Sequence, residues 1–221
     1  MKKILVVVDM QNDFITGPLG TPEAVSIVDE VVEKIRGEEW DYIYTTQDTH
    51  DEDYLDTQEG KKLPVEHCIE GTDGWHLERR IYKQVVERRE WRDLFKYTFG
   101  AFDLPEFIGY IYNGCSSGEF EVTFVGVCTD ICVISNALLL KAHYPEMKIV
   151  VDASCCAGST PEKHRMALEV MKSCQVDVVN DAGKDDWFIM TDVYHKWYGQ
   201  RPYPMPDEDN RRGLRNVESE E

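Results

Sequence analysis

Short apolar runs alternate with helical patterns along this chain, and the alternation limits the folds that it can adopt. Ile4 to Val8 is a continuous apolar run closed by Asp9, which is typical of a central strand buried on both faces. The stretch from Thr21 to Gly37 follows, with Pro22 after the threonine and apolar residues at helical spacing. The pattern predicts an α/β fold: a doubly wound, mainly parallel sheet with helices on both faces.

Six strands and five helices are predicted in all. The strands cover residues 4–8, 42–46, 91–97, 123–127, 148–151 and 176–179. The helices cover residues 21–37, 77–86, 103–112, 131–141 and 160–174, and the third helix is expected to break at Gly109. The long polar segment 47–74 carries acidic and histidine residues, so we expect it to be a functional loop.

Length and composition bound the domain count and the kinds of partner. A chain of 221 residues with 42% hydrophobic content predicts a single domain over residues 1–203, followed by a polar, charged tail over residues 204–221. No apolar run is long enough for a membrane span, and Asp9 comes too early for a signal peptide, so a cytoplasmic protein is expected. A net charge of −18 argues against nucleic acid or an anionic membrane as a partner. The seven cysteines lack the spacing of a disulfide framework, which predicts free thiols.

The segment around Cys132 contains the candidate nucleophile. A β-branched and aromatic strand, Thr123 to Val127, leads almost directly into a helix predicted to begin at Ile131, so Cys132 falls in the first turn. A thiol at that place feels the positive end of the helix dipole, which favours the thiolate, and lies among unpaired backbone N–H groups. An inert buried cysteine is the alternative, so the interpretation depends on partners.

Asp9 and Lys96 are the candidate partners of Cys132. Each lies at the C-terminal end of a predicted strand, and such ends meet in one crevice of a doubly wound sheet. A carboxylate beside a thiol can act as its base, while a lysine lowers the thiol pKa and orients the carboxylate. The three residues together predict nucleophilic catalysis by cysteine.

The chain resembles the isochorismatase-like cysteine hydrolases, a family that includes nicotinamidases, N-carbamoylsarcosine amidases and isochorismatases. The resemblance covers about residues 4–179 and rests on VVVDMQNDF around Asp9, KYTFGAF around Lys96 and GVCTDICV around Cys132. It implies a Rossmann-like, three-layer fold in which these three residues form the catalytic triad. Because the chain keeps the cysteine that classical isochorismatases lack, the resemblance favours the amidase branch.

The resemblance also implies an oxyanion hole and an aromatic substrate pocket. A cis peptide bond is expected between Val127 and Cys128, with the backbone N–H groups of Cys128 and Cys132 forming the oxyanion hole. Phe14 is expected to bind the substrate as an aromatic wall. The candidates for a second aromatic wall are Trp75, Phe99 and Phe102.

Nicotinamidases bind a divalent metal in a loop that residues 47–68 resemble. Asp48, His50 and His67 match three of its ligands, and Glu59 stands at the spacing of a glutamate ligand found in one branch. Such nitrogen and oxygen ligands suit zinc, iron or manganese, and no organic cofactor is implied. The alternative for the D-x-H pair is a solvated acidic turn.

Two residues near His67 bear on the choice of substrate, and His164 is a histidine outside the metal-binding loop. Leu63 precedes Pro64 where nicotinamidases commonly carry an aromatic residue, and Glu66 is an extra residue before His67; both weaken the expectation of nicotinamide specificity. His164, in the segment TPEKH at the start of a predicted helix, is expected at the surface.

The sequence therefore predicts a metal-containing, cysteine-dependent amidohydrolase of a small carboxamide. Nicotinamide is the first candidate, converted to nicotinate and ammonia through a thioester intermediate. One alternative is a metal-free amidase of the same family that acts on another small amide or ureido compound. Another is a catalytically retired interaction protein, against which the intact triad argues. The resemblance also implies a homo-oligomer.

Overall fold

The computed structural model describes residues 1–112 and 119–181. The predicted domain boundary at residue 203 and the charged tail lie outside these residues. All six cysteines in the described ranges are free, as the sequence predicts. No helix in those ranges is both long and apolar enough to cross a membrane.

A six-stranded sheet forms the middle layer. Its strands are β1 (Lys2–Val8), β2 (Tyr42–Asp48), β3 (Trp91–Lys96), β4 (Phe120–Val127), β5 (Lys148–Ala157) and β6 (Asp177–Val179). All neighbouring strands are parallel, in the order β3-β2-β1-β4-β5-β6. Strands β2 and β3 extend the sheet from β1 towards one edge, and β5 and β6 extend it from β4 towards the other. The predicted doubly wound α/β fold is therefore confirmed.

Helices cover both faces of the sheet. They are α1 (Asn12–Ile15), α2 (Pro22–Ser26), α3 (Val28–Gly37), α4 (Gln58–Lys62), α5 (Arg79–Val85), α6 (Leu104–Tyr112), α7 (Ile134–His143) and α8 (Pro161–Ser173). A 3-10 turn, Tyr54–Asp56, precedes α4, and a π-helical turn, Thr129–Val133, precedes α7. Threonines cap the starts of α2 and α8, because Thr21 accepts from the Ala24 N–H and Thr160 from the Lys163 N–H.

The alternating side chains of β1 divide the hydrophobic core into two layers. Leu5 and Val7 pack with apolar residues of α3 and α5 on one face. Ile4, Val6 and Val8 pack with those of α6, α7 and α8 on the other. Because all five side chains are fully buried, β1 lies at the centre of the molecule, and the residue that follows it is buried as well.

Two predicted helices differ from the structure. The helix predicted over residues 21–37 is divided at Ile27, where the Ser26 hydroxyl donates to the Glu23 carbonyl and so competes with the helical ladder. The break predicted at Gly109 is wrong, because α6 continues through it. A side chain at Gly109 would collide with the Tyr144 hydroxyl, which donates to the Pro105 carbonyl, so the glycine makes room for this contact.

Strand β5 extends beyond the predicted residues 148–151 because Asp152 is neutralised inside the fold. Its carboxylate lies 3.0 Å from the Lys34 ammonium and accepts hydrogen bonds from Ser154 and Asn180. A buried carboxylate with these partners does not have to mark a strand end.

Candidate active site

The three predicted catalytic residues lie at the carboxyl edge of the sheet. Asp9 follows β1, Lys96 ends β3, and Cys132 lies in the π-helical turn after β4. Strands β1 and β4 are neighbours at the point where the strand order reverses, which is where open α/β sheets bind ligands. The helical segment that carries Cys132 begins at Thr129, two residues earlier than predicted.

Lys96 joins the other two residues. Its ammonium nitrogen, Nζ, lies 2.8 Å from Asp9 Oδ2 and 3.6 Å from Cys132 Sγ. The same nitrogen lies 2.8 Å from Asp48 Oδ1, a contact that the sequence did not indicate. Asp9, Lys96 and Cys132 are all buried. Burial would lower the pKa of Lys96, but Asp9, Cys132 and Asp48 raise it well above its ordinary value, so the lysine stays charged.

The two oxygens of Asp9 have different partners. Oδ1 accepts a hydrogen bond from the Thr46 hydroxyl at 2.6 Å. Oδ2 lies 2.8 Å from the Lys96 ammonium, with which it forms an ion pair. Burial raises the pKa of the Asp9 carboxyl, with Asp48 adding to this effect and Lys96 opposing it. A buried carboxylate of raised pKa is suited to accept a proton.

The pKa of Cys132 corrects the expectation of a stabilised thiolate. Burial first and the negative charge of Asp9 second raise the pKa of this thiol well above its ordinary value, and Lys96 opposes them only in part. Desolvation of the buried thiolate outweighs the favourable effect of the helix dipole. The resting group is therefore a thiol, which needs a base to become a nucleophile.

The turn that carries Cys132 is fixed by α8 and the loop before it. The Asp130 carboxylate accepts from the Ser159 N–H and hydroxyl, both at 2.7 Å. Thr129 Oγ1 lies 2.8 Å from His164 Nδ1. The expectation of a surface His164 is wrong, because the side chain is 4% exposed and burial lowers its pKa to about 4. His164 lies one helical turn after the Thr160 cap, on the face of α8 that packs against the π-helical turn of Cys132.

The backbone before Cys132 has the peptide geometry that the resemblance implied. The bond between Val127 and Cys128 is cis. Gly126, just before it, has a φ of 115°, and a side chain there would collide with the Val8 backbone of the adjacent strand. Only glycine allows β4 and β1 to approach so closely at this point.

Asp48, His50 and His67 form a second cluster beside Lys96. Asp48 Oδ2 lies 3.0 Å from His50 Nε2 and 3.6 Å from His67 Nε2, and one ligand atom of each residue lies within 4.8 Å of the others. Burial opposes ionisation of Asp48, but hydrogen bonds from both histidines and the charge of Lys96 hold its pKa below the ordinary value. The predicted metal ligands Asp48, His50 and His67 are thus brought together.

The donor set of this cluster fits a divalent metal. His67 Nδ1 lies 2.8 Å from the Val65 carbonyl, which can only accept, so Nδ1 carries a proton, and Nε2 is the nitrogen that would bind a metal when the ring is neutral. Fixing the outer ring nitrogen in this way is typical of metal-binding histidines. Two ring nitrogens and a carboxylate oxygen are ligands that zinc, iron and manganese accept.

Glu59 does not belong to this three-residue group in the described chain. It lies on α4 and lines the adjacent cavity, and its charge helps to raise the pKa of His67. Its role as a metal ligand stays a prediction.

A cavity of about 700 Å³ opens above the two clusters. The predicted wall residue Phe14 lines it, and so does Phe99, whereas Trp75 and Phe102 are not among its lining residues. Cys128 and Cys132 lie at the same cavity. Sequence reasoning missed Tyr97, which is next to Lys96 in KYTFGAF and also lines the cavity.

Sequence reasoning missed two more residues that hold the site together. Gln11, in the motif VVVDMQNDF, is fully buried and binds the backbone of Asp48 with both ends of its amide. Tyr54 is also fully buried, and its ring lies 4.6 Å from that of His50 and 5.0 Å from that of His67. A polar residue inside a strand-end motif was the available signal for Gln11; nothing in the sequence singled out Tyr54.

Comparison with known proteins gives consistent matches. The family model described as the Isochorismatase domain matches residues 3–182. A nicotinamidase of Schizosaccharomyces pombe is 25% identical over 215 residues, which covers 80% of this chain and 92% of that protein. The crystal structure of a nicotinamidase/pyrazinamidase from Bacillus subtilis is similar with a TM-score of 0.68 at 30% identity, covering 80% of this chain and 99% of the other.

A third similarity concerns a zinc-containing structure. The pyrazinamidase of Pyrococcus horikoshii, solved in complex with zinc, has a TM-score of 0.64 at 28% identity and covers 81% of this chain and 99% of its own. The match over residues 3–182 and these relatives identify the protein as an amide-bond hydrolase. The chain belongs to the isochorismatase domain family.

Proposed function

We propose that this protein hydrolyses a small carboxamide by cysteine catalysis, with nicotinamide as the first substrate, giving nicotinate and ammonia. The observation that carries the proposal is the position of Lys96, whose ammonium lies 2.8 Å from Asp9 Oδ2 and 3.6 Å from Cys132 Sγ at the cavity. The similar proteins named nicotinamidase support the choice of substrate.

Asp9 is the base in the first step. Its Oδ2 takes the Cys132 proton, because the raised pKa of the carboxyl brings its basicity closer to that of the thiol. The charge of Lys96 stabilises the thiolate as it forms. The sulfur attacks the amide carbonyl and forms a C–S bond, and the backbone N–H groups of Cys128 and Cys132 donate to the resulting oxyanion.

Asp9 then acts as the acid. It returns its proton to the amide nitrogen as the C–N bond breaks, so ammonia leaves and a thioester remains on Cys132. Asp9, again a carboxylate, accepts a proton from water as the water attacks the thioester. The C–S bond breaks, the proton restores the thiol, and the carboxylic acid leaves.

Asp48, His50 and His67 would hold a divalent metal beside this pocket. When bound, such a metal supplies a Lewis acid that can take the ring nitrogen of a pyridine carboxamide as a ligand. Asp48 links the cluster to catalysis, because the opposite carboxylate oxygen accepts from Lys96. Phe14 and Phe99 provide apolar walls for a ring.

The test is turnover of nicotinamide by the wild-type protein and by Cys132→Ala, measured as ammonia release. We expect the variant to lose turnover while keeping its circular dichroism spectrum, because alanine removes the sulfur and leaves little space to fill. Cys174→Ala, at an exposed thiol, is the matched control and should retain turnover. Nicotinamide turnover by Cys132→Ala near the wild-type rate would overturn the covalent mechanism.

A metal-free amidase that acts on another small amide or ureido compound is the second candidate. The observation that favours another substrate is Leu63, which lines the cavity where an aromatic residue was expected for nicotinamide. Turnover of such a compound, but not of nicotinamide, by protein shown to be free of metal would favour this alternative.

A further inference from the structure

Two lysines on the cavity wall have no part in the proposed chemistry. Lys62 is the last residue of α4, and Lys163 is in the first turn of α8. Both side chains are exposed, and within residues 1–112 and 119–181 neither pairs with a carboxylate. In a protein with a net charge of −18, two unpaired cations at one cavity can bind an anion there.

The charge of Lys163 reaches the end of the cavity where the cysteines lie. Burial raises the pKa of the Cys128 thiol to about 12, and Asp130 and Asp9 add to this effect. Lys96 and Lys163 oppose it. Lys163, Cys128 and Cys132 line the same cavity, so an anionic group beside Lys163 would share that cavity with the reacting amide.

The start of α8 adds positive potential on the same side. Ser159 lines the cavity just before the Thr160 cap, and α8 is a helix of 13 residues with its N-terminus there. Unpaired N–H groups at a helix start favour negative charge. The Ser159 hydroxyl itself donates to Asp130, so the lysine is the group with free donors.

The acidic groups of the cavity, Asp48 and Glu59, act on the metal-ligand cluster, and Glu59 lies on α4 as Lys62 does. Asp48 is paired with Lys96 and with both histidines. Glu59 raises the pKa of His67 together with Asp48, which places its charge beside that cluster. Neither carboxylate pairs with Lys163 or Lys62.

The cavity also has room for more than one substituted ring. Its volume of about 700 Å³ falls within the range of sites that enclose drug-sized ligands. A pyridine ring with one carboxamide leaves part of that space, including the lysine wall, without a partner.

We propose that this cavity selects small amides that carry a second, anionic substituent, which Lys163 and Lys62 bind while the amide lies at Cys132. The proposal rests on the amide hydrolysis proposed above and narrows its substrate class. A lysine ammonium is a point charge with three donors, so it accepts a carboxylate without demanding the planar geometry that arginine requires. A neutral amide reaches the same catalytic residues but leaves both lysines unpaired.

The experiment compares two amides that differ in charge and by one methyl group, the monoamide of isophthalic acid and its methyl ester. We expect the purified full-length protein to have a higher kcat/KM for the acid, through a lower KM. Lys163→Met and Lys62→Met should each lower the ratio of kcat/KM for acid over ester by about fivefold, the upper range for a solvent-accessible ion pair. Lys163→Arg should keep most of the ratio.

Lys61→Met is the matched control. Lys61 is the neighbour of Lys62 on α4, it is exposed, and it is not among the residues that line the cavity. Its substitution should leave the ratio unchanged. Equal preference of the wild type for acid and ester, or equal losses in the Lys61, Lys62 and Lys163 variants, overturns the proposal.

Binding to Cys132→Ala separates this proposal from the proposed function. Calorimetry with the monoamide and with its ester measures recognition without turnover. If the acid binds more tightly than the ester and Lys163→Met weakens that binding in the same background, the anion site is supported. This conclusion stands even if the wild type hydrolyses no amide, a result that would overturn the proposed function alone. Equal binding of acid and ester overturns the anion site whatever the turnover is.

Discussion

Gln11 binds the backbone of Asp48 with both ends of its side-chain amide. Nε2 donates to the Asp48 carbonyl at 2.9 Å, and Oε1 accepts from the Asp48 N–H at 2.7 Å. Nε2 also donates to the Trp75 carbonyl at 2.8 Å. This buried residue therefore ties the segment after β1, which carries Asp9, to the end of β2, which carries the candidate metal ligands.

Gln11→Ala should destabilise the protein by about 3 kcal/mol, because it leaves the buried N–H and carbonyl of Asp48 without partners. Urea unfolding measures the loss. Gln47→Ala is the control, since its amide makes a single long hydrogen bond of 3.3 Å to the Trp75 carbonyl and should cost less. An equal cost for the two variants would mean that the Gln11 contacts do not carry the stability of this junction.

Lys96→Met should both unfold more easily and lose amide turnover. The substitution leaves Asp9 and Asp48 buried without their common counter-charge, which costs about 3–5 kcal/mol for a buried ion pair deprived of one partner. It also raises the pKa of Asp9 further, so less of the base is ionised at neutral pH.

Urea unfolding and ammonia release measure the two effects of Lys96→Met. Lys148→Met, which removes a half-exposed partner of Glu121, is the control and should cost at most about 1 kcal/mol. Wild-type stability in Lys96→Met would show that the bridge contributes no net energy, and wild-type turnover would remove Lys96 from the mechanism.

His164 should make the protein less stable in acid. Its folded pKa is lowered to about 4, below the ordinary value of 6.5, so between these two values the unfolded chain binds more protons than the folded one. The free energy of unfolding therefore falls as the pH falls through this window, by at most about 1.4 kcal/mol per pH unit from this group.

His164→Gln should flatten that dependence. The measurement is urea unfolding of wild type and variant at several pH values between about 7 and 4.5, compared as a difference so that other groups cancel. His76→Gln, at an exposed histidine, should keep the wild-type slope. Identical slopes for His164→Gln and wild type would assign the acid sensitivity to other groups.

Metal content should depend on His67 more than on Glu59. His67→Ala removes a ring nitrogen from the three-residue cluster, whereas Glu59 lies outside it. We expect the histidine variant to lose more bound metal than Glu59→Ala, measured by elemental analysis of purified protein. Glu66→Ala, at an exposed neighbour of His67, is the control and should keep its metal. Loss of metal in Glu59→Ala equal to that in His67→Ala would contradict this order and support the prediction that Glu59 is a full ligand.

Removing the metal should affect substrates unequally. Protein treated with a chelator, or His50→Ala, should lose turnover of nicotinamide far more than turnover of benzamide, which lacks a ring nitrogen. Elemental analysis verifies the loss of metal in the same samples. Equal losses on both amides would mean that the cluster does not position the ring.

Much of the architecture could be predicted because its signals are local. The run Ile4–Val8 is apolar at every position, so it could only be a strand buried on both faces, and Asp9 had to follow at the carboxyl edge. Thr160 before Pro161 likewise fixed the start of α8. Gly109 was misread because its small size accommodates Tyr144, a residue distant in sequence.

The sequence predicted which residues form the candidate site, but it did not predict their pKa values. Asp9, Lys96 and Cys132 were found from strand ends and motifs, and the structure brings them together. The pKa of Cys132 was expected to be low and is high, because burial by both walls of the crevice outweighs one lysine and one helix start. Desolvation sums over neighbours from the whole chain, so no local pattern reports it.

The sequence by itself determined which residues stand at the ends of the strands, since hydrophobic runs and the charged residues that close them are adjacent along the chain. Only the tertiary structure decided that Lys96 also bridges to Asp48, that His164 is buried against Thr129, and which lysines line the cavity. Each of these contacts joins segments more than thirty residues apart or depends on the packing of separate elements. Their distances and charges exist only after the sheet and its helices have packed, and these contacts set the protonation of the site and the shape of its cavity.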